Sequence, residues 1–245
     1  MKIITKTNKQ LAAAIVFSAM VCLGQRVGAQ TNSTAVMSTP PLTLEEEQAM
    51  YNATLEDRAL KIMTALAVSD ADKSNRLHTA ILAQYRALHD RDQAIDEALW
   101  NLSKGSPEWL AQRNDMFPQM SQPLHARFLA LVSPDLTPEQ LETLKDKMTY
   151  GKVAFTYNAY CSILPDLSEE DKGKVMDLLK QAREVAMDGG TSGEKTAIFQ
   201  QYKNQINAYL ATKGFDVAKA TQEWSARQAA KKPTATSPNG NTPAQ

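Results

Sequence analysis

Glycine is scarce in this 245-residue chain, with 10 residues or about 4% against a usual 7%. So low a share excludes a collagenous chain and argues against a large turn-dense sandwich or barrel. Cysteine is scarcer still: Cys22 and Cys161 are the only two, which excludes a disulfide scaffold. Charge of either sign is not in excess, with 27 Lys+Arg balancing 27 Asp+Glu. No segment concentrates Lys and Arg, so nothing electrostatic points to nucleic acid. Long apolar runs are missing too. Leu11–Leu23 spans only 13 residues, short of the roughly 20 needed to cross a bilayer. There is no Gly-x-Ser-x-Gly, no phosphate-cradling glycine loop, no His-Glu-x-x-His and no dinucleotide fingerprint, and we expect no cofactor. His78, His89 and His125 stand far apart without a second ligand at coordination spacing, so no metal site is expected.

What the chain does have is helix-forming composition and a tripartite N-terminus. Lys2, Lys6 and Lys9 precede the short apolar run, and Val27-Gly28-Ala29 follows it, the build of a secretory signal peptide cleaved after Ala29. Its removal takes Lys2, Lys6, Lys9 and Arg26 and no acid, leaving a mature chain of net charge −4. We therefore expect an exported protein, periplasmic or secreted, with no membrane insertion once the signal is cut. Only Cys161 would remain, read as a buried small hydrophobe. Residues 30–42 and 233–245 are rich in Thr, Asn, Ser and Pro without an apolar period, and both are expected to be disordered.

Between them, residues 43–232 read as one all-α domain, an array or bundle of about seven helices. Thr43 with Glu46 opens the first as a capping box, and Tyr51, Leu55, Ala59, Ile62 and Leu66 recur at helical spacing to residue 68. From Ala71 the residues Ile81, Tyr85, Leu88, Asp92, Ile95, Leu99 and Leu102 form a second seam, with Asp92 its one polar member. Residues 103–123 hold Gly105, Pro107, Pro118 and Pro123, which predicts a long loop with a helical turn near Trp109. A short helix over 124–132 follows, then one started by Thr137-Pro138-Glu139-Gln140, then helices at about 152–164, 168–188, 194–212 and from Val217. Leu136–Gln140 and Leu167–Asp171 are alike, which is reuse of a good helix start or an internal repeat.

Two clusters carry candidate chemistry. His89, Arg91 and Asp92 lie in the densest polar run of the chain, where Asp92 is a carboxylate in a pocket or one half of a helix-packing ion pair. Tyr150, Phe155, Tyr157 and Tyr160 fall within eleven residues beside Asp146, Lys147, Thr149, Thr156 and Asn158. A sugar needs such a set: its C–H face stacks on an aromatic ring while hydroxyl, amide and carboxylate groups satisfy its hydroxyls. Tyrosines at helical spacing also serve as core. Trp100, and Trp109 with it, could add a stacking platform.

The runs Thr54–Ala59, Gln84–Leu88, Lys145–Gly151 and Thr156–Tyr160, with Leu164–Leu167, Ala182–Asp188, Phe199–Lys203 and Ile206–Leu210, resemble an exported bacterial family known as domain of unknown function 3826. The resemblance covers about residues 44–225. It implies sugar binding in bacteria that degrade polysaccharides, and it brings no catalytic residues with it. The leading expectation is thus an exported oligosaccharide-binding protein with Tyr150, Tyr157 and Tyr160 as ring contacts, Asp146, Lys147, Asp92, Arg91 and His89 as polar ones, and Trp100 as a platform. The alternatives are a helical interaction or chaperone-like envelope protein, which would expose an apolar or Met-rich face, and an unrecognised glycoside hydrolase or lyase using Asp92 and Asp146, whose carboxylates would face one cleft about 5–10 Å apart.

Overall fold

The computed structural model describes residues 42–231, and the expected signal peptide, the segment 30–41 and the tail 233–245 lie outside them. Among the described residues there is no strand. Eight α-helices follow one another: α1 (Leu44–Leu66), α2 (Ala71–Ala98), α3 (Pro107–Val132), α4 (Pro138–Met148), α5 (Lys152–Ile163), α6 (Glu169–Met187), α7 (Ser192–Thr212) and α8 (Val217–Lys231), with a single 3-10 turn at Ser133–Asp135.

The helix starts follow the capping chemistry. Capping boxes close the N-termini of α1 (Thr43 with Glu46), α4 (Thr137 with Gln140) and α7 (Thr191 with Glu194), and Asp70, Ser106 and Ser168 cap α2, α3 and α6. Two large apolar clusters form most of the core, and a third, smaller one of Ile95, Leu99 and Trp109 closes the end of α2. Leu55, Ile62, Ile81, Phe128, Leu144 and Met148 join α1, α2, α3 and α4, while Val153, Leu179, Phe199, Ile206 and Leu210 join α5, α6 and α7. Met187, at the end of α6, packs into the first cluster, so α6 belongs to both halves. Tyr160 is buried in the second, its hydroxyl donating to Asn207 Oδ1 at 2.7 Å across the α5–α7 interface.

The long loop expected at 103–123 is instead most of α3, a 26-residue helix that contains Pro118 and Pro123. Each interior proline removes one backbone hydrogen bond, so local preference alone would break the helix. Packing overrides it. Trp109, Arg113, Phe117, Ser121, His125, Phe128 and Val132 recur every three or four residues on one face, straight through both prolines. Trp109 and Phe117 close over the end of α2 at Ile95 and Leu99, and Phe128 and Val132 are fully buried farther along. The second helix also departs from its expected seam. Its buried polar residue is Arg91, whereas Asp92 lies at the edge of the interface and is half-buried. Cys161 is partly exposed on α5, not buried as expected, because the inward face of that short helix is taken by Val153 and Tyr160.

Candidate functional site

Charged side chains converge where α2 and α3 meet the loop from α6 to α7. Arg91 is the hub. Its Nη1 donates to Ser121 Oγ and to the Asp188 carbonyl, both at 2.7 Å, and its Nη2 and Nε donate to Asp92 Oδ1 at 2.7 and 3.1 Å. The guanidinium lies 4.4 Å from the centre of the Phe117 ring. Arg113, one turn back along α3, pairs with Glu194 and covers the same ring from 4.9 Å. Glu194 in turn accepts from the Gly190 and Thr191 amides at 2.8 and 3.1 Å. Burial raises Asp92 above the ordinary carboxylate range, and the neighbouring Glu194 charge adds to that against the pull of Arg91 and Arg113.

Around Asp188 the network continues outward. His125 Nδ1 lies 3.0 Å from Asp188 Oδ1, and this carboxylate holds the imidazole above its usual value. Lys145 pairs with Glu184 at 2.9 Å, and Arg183 reaches both Asp146 and Glu142 at 2.7 Å. Behind the loop, the wholly buried Lys195 ammonium donates to the Ala186 and Met187 carbonyls at 3.0 and 3.3 Å, capping the C-terminus of α6.

Two glycines permit this closeness. A Cβ on Gly189 would press on Lys195 Cγ at 3.0 Å, and one on Gly190 would overlap Asp92 Oδ2 while standing 3.5 Å from Glu194 Oε2. Asp92 and Glu194 thus both crowd against Gly190, the first on the side where a Cβ would stand and the second at its amide. The arrangement is a joint, and we expect Gly190→Ala to cost about 1–3 kcal/mol in urea unfolding. In an Asp92→Ala background the same change should cost distinctly less, because the overlapping oxygen is gone. Equal costs in the two backgrounds would refute the contact.

A concave surface lies elsewhere, between the end of α5 with the turn after it and the face of α8 from Ala220 to Gln228. This groove has a volume of about 640 Å³. Phe215 and the half-buried Trp224 give it aromatic surface, Pro165 and Leu164 an apolar floor, and Asp166, Glu223, Arg227 and Gln228 line it with polar groups.

A model of the family described as protein of unknown function (DUF3826) matches residues 52–230, from within α1 to the last turn of α8. The chain belongs to the DUF3826 family. No curated protein matches it. For this DUF3826 chain the match takes in both the charged joint and the groove, and α8 is inside the family's domain.

The residues singled out from the sequence do not meet in one place. Arg91 and Asp92 do come together, in the joint, but His89 turns away to stack on Tyr51 of α1 at 4.8 Å between ring centres. Asp146 serves Arg183 and Lys147 is exposed at the end of α4. Of the tyrosines, Tyr160 is core, Tyr157 is half-buried beside Cys161, and Tyr150 is exposed at the α4–α5 corner with a left-handed backbone, φ 59°. Trp100 is 83% exposed and Trp109 is buried under Arg113 and Lys104. The cluster within eleven residues is dispersed because a helix turns consecutive aromatics to different sides. Trp224 and Phe215 were passed over. The signal that could have found them is an aromatic residue just after Gly214 and, on the last helix, Trp224 with Arg227 and Gln228 three and four residues on. Among the described residues no three His, Cys, Asp or Glu side chains gather as metal ligands.

Proposed function

We propose that this is an exported oligosaccharide-binding protein whose ligand lies in the groove between the end of α5 and α8. The observation that carries the reading is the lining of that groove, two aromatic side chains set among two carboxylates, a guanidinium and an amide in a concavity of about 640 Å³. The volume falls within the 300–1,000 Å³ of small-ligand sites. Trp224 would stack on the C–H face of a pyranose ring, and Asp166, Glu223, Arg227 and Gln228 would exchange hydrogen bonds with its hydroxyls. Export rests on the three-part N-terminal sequence, and no helix among the described residues is long and apolar enough to cross a membrane.

The interaction-protein reading has less behind it. Among the described residues the exposed large apolar side chains are scattered, from Leu42 and α1 through Trp100, α3 and Tyr150 to α5 and α6, and Met50 is the one methionine of that set. They do not form a Met-rich face. The hydrolase reading lacks its cleft, since Asp92 and Asp146 belong to different ion pairs and Asp92 faces Gly190.

A thermal-shift screen of the protein against mono- and oligosaccharides tests the proposal. A sugar at 100 times its dissociation constant stabilises the fold by about 2.7 kcal/mol. We expect Trp224→Ala to abolish that stabilisation and Tyr157→Ala to leave it intact. A shift that survives Trp224→Ala and vanishes in Tyr157→Ala would move the site to α5, and no shift with any sugar would sink the carbohydrate reading.

A further inference from the structure

The chain is tightly fastened up to the end of α7. Tyr160 bonds Asn207, the Tyr209 hydroxyl donates to Asp171 Oδ1 at 2.7 Å, and Lys213 Nζ lies 3.5 Å from Glu170. The Phe215 amide still donates to the Leu210 carbonyl at 3.0 Å and its ring packs on the second cluster, but the side-chain ties stop at Gly214. This residue has φ +88°, and the space where a Cβ would stand is open. Beyond it, α8 caps itself: Asp216 Oδ1 accepts from the Lys219 amide at 2.9 Å and Thr221 bonds back to the Val217 carbonyl at 2.7 Å. Among the described residues, no side-chain hydrogen bond or ion pair joins α8 to the rest of the protein.

Only a narrow stripe docks it. Over residues 217–230, Val217, Ala220 and Trp224 are partly buried and every other side chain is exposed. A helix of 15 residues is marginal by itself, and two small apolar residues with half a tryptophan add little burial. Elements held this weakly open locally at a small fraction of the global unfolding free energy. Yet α8 supplies Glu223, Trp224, Arg227 and Gln228, one wall of the groove, against a shelf of Ser162, Leu164, Pro165 and Asp166 that is anchored by the core.

We infer that α8 is a clamp, hinged at Gly214–Phe215, that opens the groove in the free protein and closes on an oligosaccharide lying against Trp224. This inference rests on the carbohydrate reading of the groove. A ligand touching both walls forms bonds that exist only in the closed arrangement, so it shifts the population toward the docked helix. The hinge falls where the last tie to α6 ends and where the backbone is already in a conformation that glycine adopts without strain.

Hydrogen exchange of the full chain, free and with whichever sugar of the panel gives the largest thermal shift, decides the matter. In the free protein the amides of α8 should exchange at least 100-fold faster than those in the middle of α6 and α7. The sugar should slow α8 at least tenfold while α1 and α2 change little. Val217→Asp, which loosens the stripe without touching the groove wall, should weaken sugar binding at least tenfold and leave the urea midpoint of the body unchanged. If α8 is as protected as α7 in the free protein, or if sugar stabilises the protein with no added protection in α8, or if Val217→Asp binds as tightly as the native chain, the clamp is overturned while sugar binding stands. If no sugar shifts the melt or slows any helix, the carbohydrate reading fails, and the clamp with it.

Discussion

Replacing Arg91 by methionine should destabilise the protein by about 3–5 kcal/mol, the range seen when one partner of a buried ion pair is removed. The guanidinium is 2% exposed and makes four hydrogen bonds, to Asp92, to Ser121 and to the Asp188 carbonyl. Methionine matches its volume and can still pack on Phe117, so the loss isolates the polar contacts. Two of the groups left behind, Ser121 Oγ and the Asp188 carbonyl, are buried in the joint where water does not easily replace the donor. Asp92 is 26% exposed and can recover part of its solvation, which places the expected value toward the lower end. Arg91→Lys should rescue little, because a single ammonium cannot span three acceptors on α2, α3 and the loop after α6. Urea unfolding measures all of this, and a cost below about 1 kcal/mol would show that the joint does not depend on Arg91. The folded Arg91→Met variant should bind sugar as the native protein does, since the groove shares no residue with the joint. Loss of sugar binding in a variant of undiminished stability would return Arg91 to the ligand site.

That separation of joint from groove marks how far the residue pattern alone reaches. Helix starts are local, and Thr43 and Thr137 announce themselves because a capping side chain bonds an amide three residues away. Apolar periods are local as well, so the inward face of α1, with Leu55, Ala59, Ile62 and Leu66, was legible. α3 was not, because Pro118 and Pro123 are strong local signals while the packing of Trp109, Phe117 and Phe128 that overrides them comes from helices far away in sequence. The joint was half legible. Arg91 and Asp92 stand together in the sequence, but Ser121, Asp188 and Glu194, at separations of 30 to about 100 residues, are neighbours only after folding. The groove was the least legible, since Pro165 and Trp224 share a wall and a floor with no shared periodicity to announce it. The tyrosines near residue 155 looked like a site because they are close along the chain, and proximity along a helix separates side chains as readily as it gathers them.

The buried Lys195 gives the protein an unusual response to alkali. Burial, against the opposing pull of Asp188, lowers its ammonium from the ordinary 10.5 to about 8, with Arg58 and Arg91 lowering it further and Glu194 opposing. Between about pH 8 and pH 10.5 the unfolded chain therefore holds a proton at this residue that the folded chain has released. Where the unfolded state binds more protons, stability rises with pH. Below pH 8 the ammonium is charged in both states, and its cost to the fold is constant. The whole climb amounts to roughly 3 kcal/mol, at 1.36 kcal/mol per unit of displacement. Tyr85 and Tyr160, pushed up by burial to about 12, work in the opposite direction above pH 10, where the unfolded chain ionises its tyrosines and the folded one keeps them neutral. Stability should accordingly increase from pH 8 to a maximum near pH 10 and then fall. Guanidinium unfolding at half-unit intervals reads the profile directly. In Lys195→Met the climb should vanish, and at pH 7.5 the variant should be no less stable than the native chain, because removing a buried charge offsets two lost hydrogen bonds to the end of α6. A native profile that is flat or falling from pH 8 to 10, or a climb that persists in Lys195→Met, would mean that the ammonium is better solvated by the Ala186 and Met187 carbonyls than its burial implies.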